Sequence, residues 1–279
     1  MSELRRGSVE AAGIASRLIE AGPREASEAI VFVHGNPGSC TDWQALVEST
    51  GEFSRALAFD MAGFGTTPVP AGFEPHFTSY GRFIGEALSA LGVERVNLVI
   101  HDFGGPFGLS WGVENPERWK SVVLINIGVM PGYRWHSMAR RWRTPVLGEL
   151  IQAWIPRFAW RRAMAVANPK GLPPEFVEKM YDEYDRTTRN TVLALYRATP
   201  DPGETAIQLG PEVAALNKPA FVVWGEKDPY VSPEFAERQR EFFDVRGIVK
   251  LPESAHWPFQ DDPAAVSAAV LPFLREQAS

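Results

Sequence analysis

Val96-Asn97-Leu98-Val99-Ile100-His101-Asp102-Phe103-Gly104-Gly105 is an apolar, β-branched run that ends abruptly on an acid and then a glycine pair. A continuous apolar run of this length reads as a strand buried on both faces. A strand that stops at Asp102 and turns straight into a helix holds the carboxylate in a tight, exposed corner. Paired glycines let the strand and helix backbones pass more closely than a Cβ allows.

The same rhythm runs outward from this corner. Upstream, Ile30-Val31-Phe32-Val33 ends at His34-Gly35-Asn36-Pro37-Gly38, with a helix beginning over 42–47, and Ala56-Leu57-Ala58-Phe59 ends at Asp60-Met61-Ala62-Gly63-Phe64-Gly65. The spacing of Phe83, Ile84, Ala87, Leu88 and Leu91 predicts a helix over 79–91, stopped by Gly92. Downstream follow a helix over 105–115 and a strand over 121–126. From about 130 to 209 the strand signal vanishes, and helical patterns carrying Trp135, Trp142, Trp154 and Trp160 are broken by prolines. The alternation resumes with a strand at 220–224, a helix at 233–242, a strand at 248–251 and a helix at 263–277. Weak alternation over the first 27 residues suits an opening antiparallel hairpin. The predicted fold class is α/β: a mostly parallel central sheet flanked by helices, with residues 1–129 and 210–279 forming the core domain and 130–209 an inserted helical cap.

Composition narrows the function classes. The chain has 279 residues, 45% hydrophobic and 22% charged, which is ordinary for a globular protein. A net charge of -6 argues against nucleic acid or an anionic membrane as partner, since both reward a basic face. A small, largely apolar and uncharged substrate fits better, and a homodimer is compatible with the sequence. No apolar run reaches the roughly 20 residues of a membrane span, and the first residues lack the core of a signal peptide, so a cytoplasmic location is expected. The single cysteine, Cys40, has no disulfide partner and reads as a small buried side chain. No metal-ligand spacing, P-loop or dinucleotide fingerprint is present, and no cofactor or metal is expected.

Three strand ends supply candidate chemistry: Asp102, then Asp228 in Gly225-Glu226-Lys227-Asp228-Pro229, then His256 in Ser254-Ala255-His256-Trp257-Pro258. Their order is nucleophile, acid, histidine. Together with His34-Gly35-Asn36-Pro37 and Asp60-Met61-Ala62-Gly63-Phe64-Gly65, they resemble the aspartate-nucleophile branch of the α/β-hydrolases, which contains epoxide hydrolases and haloalkane dehalogenases. An ionised carboxylate attacks saturated carbon without needing a base, leaving an alkyl ester. His256, oriented by Asp228, then activates water to hydrolyse it. The resemblance implies that the backbone N–H groups of Asn36 and Phe103 hold the oxyanion.

Opening an epoxide needs acids that donate to the ring oxygen, whereas expelling halide needs neutral donors around an anion. Thr191-Val192-Leu193-Ala194-Leu195-Tyr196-Arg197 resembles the late cap segment of epoxide hydrolases and names Tyr196 as one acid. Tyr133, His136, Tyr181 and Tyr184 compete for the second, of which His136 is selected. Asn36 stands where dehalogenases carry one halide donor, but the residue after the nucleophile is Phe103, which lacks the indole N–H expected there. Epoxide hydrolysis to a vicinal diol is therefore the leading expectation, with haloalkane dehalogenation the alternative. An ester or lactone hydrolase, or a non-catalytic binding module, follows behind. Phe103 and Trp257 are expected to line the substrate pocket. Gly108-Leu109-Ser110-Trp111-Gly112 has the letters of a serine-esterase motif, but it begins too late after the strand and places Ser110 inside a helix. Arg140, Arg141, Arg143, Arg161 and Arg162 read as solvated faces of cap helices.

Overall fold

The computed structural model describes residues 2–199 and 201–278. Its centre is an eight-stranded sheet. The hairpin β1 (Arg5–Ala11) and β2 (Ile14–Ala21) leads to β3 (Glu28–Val33), α1 (Gln44–Thr50), β4 (Arg55–Phe59), α2 (Phe77–Ala90), β5 (Arg95–His101), α3 (Gly104–Glu114) and β6 (Trp119–Ile125). The insertion that follows is helical: α4 (Ser137–Arg143), α5 (Leu147–Ala153), α6 (Arg157–Ala167), α7 (Pro174–Glu183), α8 (Arg186–Ala198) and α9 (Pro202–Leu216). The chain then returns through β7 (Pro219–Gly225), α10 (Glu234–Arg238), β8 (Asp244–Leu251), α11 (Pro258–Asp261) and α12 (Pro263–Gln277).

The sheet order is β1-β2-β4-β3-β5-β6-β7-β8. β2 pairs antiparallel with β1 and β4, and every pairing from β4 to β8 is parallel. The inner parallel strands carry apolar runs because helices cover both faces, with Ile30–Val33 and Leu98–Ile100 fully buried, whereas the edge strand β8 keeps Arg246 and Lys250 accessible. The chain leaves β3 towards β4 on one side, then crosses to β5 on the other. Loops after β3 and β5 therefore diverge, and such a switch point opens a crevice at the carboxyl ends of the strands. Asn36 and Asp102 sit in those two loops.

Ion pairs tie the cap to the sheet beside this crevice. Arg17 of β2 holds the fully buried Asp60 (Nε to Oδ2, 2.9 Å) and reaches Glu183 at the end of α7 (Nη2 to Oε1, 2.8 Å). Asp60 also accepts the Cys40 N–H at 2.8 Å and the Thr66 N–H at 3.0 Å. Lys179 of α7 pairs with Asp42 and donates to Thr41 at 2.9 Å. No helix among the described residues is long and apolar enough to cross a membrane.

Candidate active site

Asp102 follows β5 with φ 50°, a left-handed conformation that Asp tolerates better than most residues. The turn requires glycine around it. A Cβ on Gly104 would lie 2.3 Å from the Val33 carbonyl oxygen, and one on Gly35 would lie 2.4 Å from the Asp102 carboxylate. These clashes explain the glycines at both places: the β3 loop and the start of α3 press directly on the nucleophile corner. The corner aims the carboxylate at two partners. Oδ1 accepts the Asn36 backbone N–H at 2.7 Å, and Oδ2 lies 3.4 Å from His256 Nε2.

His256, in the loop after β8, is 1% exposed, and its Nδ1 meets Asp228 Oδ2 at 2.7 Å. A carboxylate only accepts, so Nδ1 carries the hydrogen and Nε2 faces Asp102. Asp228 is held on both oxygens. Oδ1 accepts from the Tyr230 and Val231 N–H groups at 2.7 and 3.1 Å, and Oδ2 accepts the Asn126 side-chain amide at 2.7 Å. Asn126 ends β6 with φ 50° and also accepts the Gly225 N–H at 2.9 Å, clasping β6 to β7. Sequence reasoning gave Asn126 no role; its place as the acid's neighbour emerges from the adjacent ends of β6 and β7. His101 was likewise passed over. Its Nε2 donates to the His256 carbonyl at 2.7 Å, and burial lowers its pKa to about 3, so it stays neutral.

The electrostatics follow from this enclosure. Burial pushes the Asp102 pKa up, but the hydrogen bond and charge of His256 outweigh it and hold the value at about 2. Burial pushes His256 down, while Asp228 and Asp102 raise it to about 10. Asp228 stays below its usual range, because His256 and Asn126 outweigh its burial. The site therefore favours a carboxylate–imidazolium–carboxylate arrangement.

Above Asp102 lies an apolar cavity of about 80 Å³ between sheet and cap. Its wall includes Asp102, Phe103, Met130, Tyr133 and Trp135. Tyr196, on α8, is 3% exposed, with its ring edge-on to Phe103 at 4.9 Å and its hydroxyl against the Asn36 side-chain amide. Tyr133 rather than His136 stands on the wall. Its hydroxyl lies against the His136 backbone N–H, and burial together with the charges of Asp102 and Asp228 pushes its pKa up. The expected second donor, His136, uses Nδ1 to cap α4 at the Ala139 N–H (3.3 Å), with its ring against Tyr230 at 4.9 Å. Tyr181 and Tyr184 bond elsewhere in the cap, to the Ile155 carbonyl and to Gln152. Trp257, expected on the pocket wall, is 1% exposed and packs edge-on against His256 at 4.7 Å. It buttresses the imidazole because the chain turns into α11 immediately after it. Ser110 lies within α3, and Cys40 is buried.

Among the described residues no cluster could hold a metal ion. The chain is 26% identical over 249 residues to haloalkane dehalogenase 2 of Mycobacterium tuberculosis, covering 87% of this chain and 86% of that one. A haloalkane dehalogenase from Bradyrhizobium elkani superposes with a TM-score of 0.84 at 19% identity, covering 99% of this chain and all of the other. Epoxide hydrolase A from Mycobacterium thermoresistibile superposes with a TM-score of 0.81 at 22% identity, covering 98% of each chain. An Asp–His pair under an apolar cavity suits hydrolysis of a small organic molecule. A sequence profile described as the alpha/beta hydrolase fold matches residues 28–263, and the chain belongs to that family.

Proposed function

We propose that this protein opens epoxides to vicinal diols through an alkyl ester on Asp102. The observation that carries this reading is a pair of cap phenols that both feel the Asp102 charge, Tyr133 on the cavity wall and Tyr196 edge-on to Phe103, the residue after Asp102. The Tyr133 hydroxyl lies against the His136 backbone N–H, and that of Tyr196 against the Asn36 side-chain amide. Burial and the Asp102 charge keep both phenols protonated. The corresponding halide cradle is thin: Phe103 has no side-chain donor, and the Trp135 indole N–H is committed to the Thr199 carbonyl at 2.9 Å.

In this mechanism Asp102 Oδ2 attacks a ring carbon, the ring C–O bond breaks, and a phenol proton passes to the departing oxygen. Oδ1, already held by the Asn36 N–H, becomes the ester carbonyl and then the oxyanion, with the Phe103 N–H as second donor. Esterification removes one of the two carboxylates that stabilise the imidazolium. The step that forms the intermediate thus lowers the His256 pKa and prepares Nε2 as a base. The imidazolium first gives its proton to the phenolate and restores the phenol; neutral His256 then takes a proton from water as hydroxide adds to the ester carbon, passes it to the diol oxygen as that leaves, and regains a proton from the new Asp102 carboxyl.

The second reading, carbon–halogen cleavage on the same Asp102, is favoured by the dehalogenase relatives and by Asn36 at the leaving-group side. The two readings separate by substitution. In the proposed reading, Tyr133→Phe and Tyr196→Phe each lower kcat/KM for styrene oxide by about 10²-fold or more, measured as diol formation. Halide release from 1-bromobutane that survives both substitutions, with no diol from the unaltered enzyme, overturns the proposal in favour of the second reading.

The pH dependence carries a sign. Ester hydrolysis needs neutral His256, so its rate rises with pH through the imidazole pKa of the intermediate. Asp228 raises that pKa, so Asp228→Asn moves the acid limb to lower pH by about one to three units while reducing the plateau rate. Single-turnover decay of the intermediate across pH measures both.

A further inference from the structure

We infer that the outer face of the cap is a docking surface for an anionic phospholipid bilayer. Val146, Leu147, Leu150, Trp154, Phe158 and Val166 are 70%, 43%, 65%, 78%, 72% and 75% exposed. Leu147, Leu150 and Trp154 fall at i, i+3 and i+7 along α5 and its end, so they share one face, and Phe158 and Val166 share a face of α6 at i and i+8. Apart from Leu147, which is partly covered, these large side chains stand mostly in water along two successive helices instead of packing into the cap. Val146 adds a second sign: a β-branched residue at φ 68°, exposed and without packing to compensate the strain.

Charge selects the occupant. Residues 134–162 carry seven arginines and a single acid, Glu149, in a chain whose net charge is -6. Glu149 is already paired with Arg197, and Glu178 and Asp182 pair with Arg157 and Arg161. Arg140, Arg141 and Arg162 are exposed and make no ion pair among the described residues. The total charge argued against a membrane, but fields beyond about a Debye length of 10 Å are screened, so the local sign governs contact. Exposed Trp, Phe and Leu among unpaired arginines suit the headgroup boundary of an anionic bilayer, with the apolar side chains inserted and the guanidiniums on phosphates. A symmetric contact with a second copy would set these arginines against themselves.

Co-sedimentation with vesicles tests this directly. The full chain is expected to bind phosphatidylcholine–phosphatidylglycerol vesicles at low salt, and to bind pure phosphatidylcholine vesicles and high-salt samples much less. Trp154→Ser with Phe158→Ser, and separately Arg140→Glu with Arg141→Glu, are each expected to lower binding about tenfold or more, with thermal unfolding unchanged because all four side chains are exposed. The inference is overturned by absence of binding to the anionic vesicles, by equal binding to both compositions, or by binding that survives both double substitutions. A dimer in sedimentation velocity that dissociates in the Trp154/Phe158 variant also overturns it, by assigning the face to a second copy.

Discussion

A His256→Gln variant exposed to substrate is expected to accumulate an ester on Asp102 and to lose steady-state turnover by about 10³-fold or more. Alkylation needs only the carboxylate and the leaving-group donors, whereas release needs the base, so the substitution separates the two steps. Intact-mass measurement reads the intermediate and its chemistry together. An epoxide adds its whole mass to the protein, because ring opening expels nothing; a haloalkane adds its alkyl group and leaves its halogen in solution. Peptide mapping is expected to place the adduct on the segment containing Asp102. A variant with no adduct from any epoxide or haloalkane, or with undiminished turnover, refutes the role assigned to the pair.

The largest effect on stability is expected from Arg17→Ala. Asp60 is fully buried, and Arg17 is the charged side chain that meets it, at 2.9 Å, alongside backbone N–H donors. Removing one member of a buried pair leaves the other charge uncompensated, which costs about 3–5 kcal/mol. That is a large share of a typical domain stability of roughly 5–15 kcal/mol. Denaturant unfolding is expected to show the lowered midpoint, and Arg17→Lys is expected to recover part of it by restoring charge without the forked geometry. An unchanged midpoint would mean that Asp60 is solvated on loss of its partner.

The sheet was legible in the sequence for a physical reason. Strands paired in parallel are covered on both faces, so Ile30–Val33 and Leu98–Ile100 appear as unbroken apolar runs with chemistry at their ends. The opening hairpin was fainter because β1 keeps most of its residues accessible. Asp102, Asp228 and His256 could be named because each closes a strand. The cap resisted the same reading. Tyr133 and His136 lie three residues apart in a segment between β6 and α4 without periodicity, so nothing in their spacing says which one faces Asp102. Trp154 and Trp135 look alike as letters, yet one stands in solvent and the other on the cavity wall. The Arg17–Asp60 pair joins residues 43 apart, and no local pattern announces it.

The hydrogen bond from His101 to the His256 carbonyl spans 155 residues of chain. During synthesis from the amino end, the elbow bearing Asp102 leaves the ribosome long before the strand that delivers His256. On the proposed mechanism, a growing chain that has formed β3 to β6 and the cap through Tyr196 already owns the carboxylate and the leaving-group donors, but has nothing with which to free itself. The order of emergence therefore creates an interval in which a reactive electrophile would poison the polypeptide, and the late arrival of β8 and α11 closes it. Competence to recover from each encounter is the last property that the growing molecule acquires.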